Sequence, residues 1–148
     1  MSGCSSGYGL GTSMAPPPPM VAGAILVWGN NSVSPTTSTR YLTSGYDDVL
    51  APVIAGIVQF RLARAGTIRN LRVRHNVTAG NGNLISYTVR INNVVTLLSV
   101  SMASTAADGS DLVNSVVVAA GDLIDIEVTK GLDIVTSPTF IAADLELA

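Results

Sequence analysis

From Gly66 to Met102 the apolar residues of this chain recur with a period of two, and that rhythm constrains its fold more than any other feature. Leu71, Val73 and Val77 share one parity, and Arg72 and Arg74 take the other. After the break Thr78-Ala79-Gly80-Asn81-Gly82-Asn83, Ile85, Tyr87, Val89 and Ile91 alternate with Ser86, Thr88 and Arg90. A period of two sustained over this length means strands with one buried face. Asn92-Asn93 supplies a two-residue turn, because Asn tolerates the positive φ of a type I′ hairpin. The return strand puts Val94, Thr96, Leu98, Val100 and Met102 on one parity. Upstream, Ile68 falls out of parity with Leu71, and a bulge near Asn70 reconciles them.

The rest of the chain reads in the same way. The spacing predicts a strand over Met20–Trp28 that ends at Gly29-Asn30-Asn31-Ser32. Residues 33–49 read as a long loop or a pair of short edge strands, and Ile54–Leu62 as a strand. A polar loop is expected over Ala103–Asp111, then strands over Leu112–Ala119 and Ile124–Val128, and a final strand over Thr139–Leu147. The expected fold is therefore all-β, an antiparallel β-sandwich of the jelly-roll kind with about eight strands and no helix. It occupies residues 20–148 as one domain, with an extended arm over residues 1–19. That arm is Gly/Ser-rich and closes with Pro16, Pro17, Pro18 and Pro19, a stiff polyproline spacer expected to be held by its own domain or, as the favoured reading, by a neighbouring chain.

Charge is scarce: charged residues make up 12% of the 148-residue chain and hydrophobic ones 47%. The charged share is about half that of an ordinary soluble domain, which favours an oligomer that buries part of each subunit's surface. Residues 1–100 carry seven arginines against Asp47 and Asp48, and residues 101–148 carry Lys130 against eight acids; these sum to the chain's net −2. Arg72 and Arg74 are expected to face Asp125 and Glu127, within a subunit or across an interface. The small net charge and seven aromatics argue against a nucleic-acid partner or an anionic membrane. Met20–Trp28 is too short to span a bilayer, and the start lacks the basic region of a signal peptide.

No catalytic constellation is legible, and neither a cofactor nor a metal is implied. Cys4 is the only cysteine and His75 the only histidine; His75 is expected at the end of a buried face. Asp108-Gly109-Ser110-Asp111 lacks the length and closing Glu of a calcium loop. Arg40, Tyr41 and Tyr46 form a polar-aromatic cluster on the 33–49 segment and are candidate partner contacts.

Three stretches taken together carry a resemblance: Ala65-Gly66-Thr67-Ile68-Arg69-Asn70-Leu71, Tyr87-Thr88-Val89-Arg90-Ile91-Asn92-Asn93, and Val118-Ala119-Ala120-Gly121-Asp122-Leu123-Ile124. Their succession resembles the jelly-roll heads of spore-surface collagen-like glycoproteins and of phage structural proteins, which are similar in fold to tumour-necrosis-factor and C1q-type heads. The resemblance implies a homotrimer displayed on a surface and no catalytic residues. No Gly-X-Y collagen repeat precedes the domain, which suits a virion component better than a spore-surface stalk. The expectation is a non-enzymatic capsid cement or decoration protein at a phage or virus surface. Residues 1–19 would contact the major capsid protein or another virion protein; a receptor- or glycan-binding head is the alternative.

Overall fold

In the computed structural model the described residues are 23–32, 39–50, 55–77, 83–131 and 138–148. They form ten strands: β1 Ala24–Ser32, β2 Arg40–Tyr41, β3 Gly45–Leu50, β4 Phe60–Arg61, β5 Gly66–His75, β6 Leu84–Ile91, β7 Val94–Ala103, β8 Asp108–Val118, β9 Leu123–Lys130 and β10 Ile141–Leu147. One sheet runs β3-β1-β10-β5-β8 and the other β2-β9-β6-β7, with β4 also on the β2 edge of β9.

The order follows from rolling one long hairpin. Its tip is β6–β7, and successive rungs are β5–β8, then β4 and β2 with β9, and finally β1 with β10. Successive rungs fall in opposite sheets, and rungs of one sheet are joined by the pairs β10–β5 and β9–β6. This is a jelly roll with eight strand positions, β2 and β4 sharing one of them. The addition is β3, which pairs in parallel with β1 at the sheet's edge.

The core lies where the inner faces meet. Trp28, Ile68, Leu71, Val73, Ala143 and Leu145 from one sheet pack against Ile85, Tyr87, Val89, Leu98, Ile126 and Val128 from the other. At Gly109 the sheets approach closely, since a Cβ there would lie 2.6 Å from Val100 Cγ1 and 3.1 Å from Met102 Sδ. The hairpin turn is as expected, with Asn92 at φ 51° and Asn93 at φ 68°. The bulge at Asn70 is also present, with φ 56° and a register shift between Arg69 and Leu71.

Several boundaries differ from expectation. The Gly29–Ser32 cluster continues β1 instead of ending it, because Asn30 is held at both ends of its amide: Nδ2 donates to Thr43 Oγ1 (2.9 Å) and Oδ1 accepts from Thr43 N (2.8 Å). Ile54–Leu62 does not form one strand; a 3-10 turn at Ala55–Ile57 precedes the two-residue β4. Asp108–Asp111 opens β8 and is not a loop. Of the 33–49 segment, the described part follows the edge-strand reading, as β2 and β3.

Candidate functional site

The two lateral margins of the sandwich are built differently, and the β7–β8 margin holds a cluster that counting by parity misses. Between Thr88↔Ser99 and Arg90↔Val95, two steps along β6 are matched by four along β7. The same excess occurs in β8, between Arg69↔Ser115 and Leu71↔Asp111. Both edge strands are therefore bulged, as edges often are. In β7 the Thr96 hydroxyl donates to Val89 O (2.8 Å) and accepts from Leu98 N (3.2 Å), which turns Leu97 outward. In β8 the Asp111 carboxylate accepts from the backbone N–H groups of Val113 (3.1 Å) and Asn114 (3.0 Å), and from Asn114 Nδ2 (2.9 Å). Its second oxygen also accepts from Ser99 N of β7 (3.1 Å), tying the two bulges together. Burial pushes the Asp111 carboxyl up, but the donors from Asn114, Ser99 and Val113 outweigh it and hold the group below its ordinary value.

The product of these bonds is an aliphatic margin facing solvent. Leu97 is 81% exposed, Val113 92% and Val117 83%, with Val94, Val95 and Leu112 also exposed. Isolated exposed aliphatics are ordinary, but six of them on two edge strands tied by the Ser99–Asp111 bond make this margin the candidate site. Sequence reasoning missed Asp111, Leu97 and Val113. The available signal was the pairing of a short polar residue with two apolar neighbours that break the alternation, Asp111-Leu112-Val113.

The opposite margin is braced by a buried ion cluster. Arg90 is 7% exposed and Asp125 0%. The Arg90 guanidinium donates to Tyr41 Oη (2.7 Å), Glu127 Oε2 (3.0 Å) and Asn93 Oδ1 (2.9 Å), and its Nε lies 3.4 Å from Asp125 Oδ1. Its plane also sits over the Tyr41 ring, 4.9 Å from the centroid. Gln59 bridges Asp125 and Asn93 at 3.0 and 2.8 Å. Burial pushes the Asp125 carboxyl above its ordinary value, Gln59 and Arg90 only partly opposing it. The cluster fastens β2 and the segment before β4 to β9, so it is an internal brace.

These partners correct the expected pairing within the chain. Asp125 and Glu127 face Arg90, whereas Arg72 and Arg74 lie on the outer face of the other sheet. There Arg72 lies 3.6 Å from Asp144 and Arg74 3.7 Å from Asp108, beside a tighter Arg69–Glu146 pair at 2.7 Å. Arg72, Arg74, Asp108 and Asp144 line an open groove of about 530 Å³. Of the other expected contacts, Tyr41 is half-buried with its hydroxyl engaged by Arg90, and Arg40 pairs with Val128 on β9. Tyr46 pairs with Gly29 along β3, and its side chain lies outside the described residues, as do Pro16, Pro17, Pro18 and Pro19.

His75 is 1% exposed at the end of the buried face, where the sequence places it. Nε2 lies 2.7 Å from Ala106 O, and a carbonyl only accepts, so Nε2 carries the proton and Nδ1 accepts from Tyr87 Oη at 2.7 Å. Burial lowers its pKa, and the Ala106 and Ala103 carbonyls and Asp108 only partly oppose this. Both ring nitrogens are therefore engaged within the chain. Among the described residues no group of three or more His, Cys, Asp or Glu is placed to hold a metal, and no helix is long and apolar enough to cross a membrane.

Neither a protein-family model nor a curated protein sequence matches this chain. The jelly-roll fold and the two margins are what the molecule itself offers for a functional reading.

Proposed function

We propose that this chain is a non-enzymatic structural protein of a phage or virus particle. It associates as a homotrimer through the β7–β8 margin and is anchored as a capsid cement or decoration protein by residues 1–19. One observation carries the reading: an aliphatic surface, held open by the Asp111 hydrogen bonds, on a chain short of charge. Obligate interfaces have that composition. The particle and the trimer come from the resemblance of the three short stretches, and the exposed margin supports self-association in particular.

The test is solution mass by light scattering. The full chain is expected at about three times its 15.2 kDa, and the double variant Leu97→Asp/Val113→Asp at the mass of one folded chain. A wild-type monomer at tens of micromolar would overturn the trimer. The anchoring part is tested separately, by co-sedimentation of the full chain with empty particles.

A second reading, a receptor- or glycan-binding head, is favoured by the Arg72–Asp108 groove. It offers cations and carboxylates side by side, next to an apolar hollow lined by Val77, Ala107 and Phe140. Glycan-array binding abolished by Arg74→Ala would support it, and silence across a broad array would remove it.

A further inference from the structure

The outer face of β10, β5 and β8 carries a groove whose shape follows from strand register. Arg72 pairs with Asp144 on one side and Ser110 on the other, and Arg74 with Ala142 and Asp108. Residues two apart on a strand share a face, with about 6.6 Å between them. Both guanidiniums therefore rise from the middle strand, each with a carboxylate on one flank and a short side chain on the other. The carboxylates take opposite corners, Asp144 on β10 and Asp108 on β8. Ala142 and Ser110 leave the other two corners low.

The ion pairs of this groove are loose. Arg72 lies 3.6 Å from Asp144 and Arg74 3.7 Å from Asp108, and all four side chains reach solvent. Both distances exceed a hydrogen bond, whereas the neighbouring Arg69 donates to Glu146 at 2.7 Å. The charges of the groove cancel, yet two guanidiniums and two carboxylates keep hydrogen-bonding capacity side by side. An anion would gain at Arg72 and Arg74 but meet Asp108 and Asp144, and a cation would meet the reverse. An uncharged vicinal diol suits the arrangement, because each hydroxyl both accepts from a guanidinium and donates to a carboxylate.

Past Arg74 and Ala142 the groove opens into a second hollow of about 550 Å³, where Val77 is 58% and Phe140 41% exposed. Each hollow has the volume of a small-molecule site. An apolar wall beside a diol-binding pair matches the two sides of a pyranose, whose ring C–H groups are apolar and whose hydroxyls are not. We propose that this groove holds a neutral oligosaccharide, with vicinal hydroxyls of one ring bridging Arg74 and Asp108 and the C–H face of the adjoining ring on Phe140. Arg74 borders both hollows and joins the two subsites. The inference rests on the glycan-binding reading and narrows it to uncharged sugars.

The test sets neutral oligosaccharides against sialylated and uronic-acid ones on one array at matched density, probed with the full chain. Neutral sugars are expected to be retained, with binding that changes less than about twofold as NaCl rises from roughly 0.05 to 0.5 M, since no net charge is screened. Asp108→Asn keeps the side-chain size and removes the charge, and with this side chain 73% exposed it leaves the fold intact. It is expected to weaken neutral-sugar binding by about tenfold, as loss of a charge-assisted hydrogen bond does. Phe140→Ala should weaken it to a similar degree. Retention of acidic sugars alone, lost with Arg74→Ala, keeps the glycan-binding reading and overturns the neutral-sugar assignment. Neutral binding that survives both Asp108→Asn and Phe140→Ala unchanged lies elsewhere and overturns the proposal. Silence across the whole array removes the glycan-binding reading and this inference with it.

Discussion

Each margin of the sandwich is organised around one buried aspartate, and the two are used in opposite ways. Asp111, on β8, faces only N–H donors: Val113, Asn114 and Ser99 surround it, and its pKa falls. Asp125, on β9, faces the Arg90 cation and Gln59, with Glu127 adding a like charge nearby, and its pKa rises because burial dominates. Hydrogen bonds from fixed backbone donors stabilise a carboxylate at its own site and impose a local shape, here a pair of bulges. A buried ion pair must first meet the desolvation of both charges, so it adds little net stability while punishing any mismatch. Asp111 therefore shapes an exposed aliphatic margin, whereas Asp125 and Arg90 hold together a margin that the fold must keep closed beneath β2 and β4.

The contrast breaks most sharply at Arg90. Arg90→Met removes the one cation within reach of Asp125 Oδ1 and strands a fully buried carboxylate. The expected loss is about 3–5 kcal/mol in urea unfolding. Replacing both partners, as Arg90→Met/Asp125→Leu, is expected to recover most of that loss, because the fully buried carboxylate is gone and the one left without Arg90, Glu127, reaches solvent. If the double variant is as unstable as the single one, the cluster is a source of stability and the account above is wrong.

Asp111→Ala comes next. It orphans the donors of Ser99, Val113 and Asn114, and hydrogen bonds to a charged group contribute about 1.5–3 kcal/mol. The diagnostic readout is local: amide exchange should accelerate at Ser99, Val113 and Asn114 while the β9–β6 ladder keeps its protection. If the β7–β8 margin is the contact surface, self-association should weaken as the bulges relax. A variant with relaxed bulges and undiminished self-association would separate Asp111 from the interface.

Much of this architecture was legible in the sequence, and the exceptions share a physical cause. The Asn92-Asn93 turn, the Asn70 bulge and the burial of His75 are local, set by the φ tolerance of Asn and by parity within one strand. Parity assumes an unbroken period, and in β8 the extra residues at Leu112–Asn114 reset it, so Leu112 and Val113 are both exposed; in β7 Leu97 keeps the outward parity, and the departure is Val94, exposed although it shares the parity of Leu98 and Val100. Arg90 does lie on the outward parity, as expected. It is buried because Tyr41 and Gln59, far away in sequence, fold over it. Arg72 and Arg74 found partners other than Asp125 and Glu127 because rolling the hairpin sets which strands become neighbours, and no single strand's pattern records that. The aliphatic margin and the Arg72–Asp108 groove depend on the same non-local placement.

The smallest expected effect is also the most specific, since it tests the two aspartates by sign alone. Asp111 has a folded-state pKa below its ordinary 3.8, so its contribution is fully present above that value and is lost as pH falls through the window beneath it. Asp125 is shifted above the ordinary 3.8, so the folded state takes up its proton first and acidification through the window above 3.8 relieves a cost. In urea unfolding at stepped pH, the stability gap between wild type and Asp111→Asn should therefore narrow as pH drops below about 4. With Asp125→Asn the wild type should gain on the variant over the window just above that value. Gaps that move in the same direction for both variants would mean that the two carboxylates share one environment, and the distinction between the margins would fall.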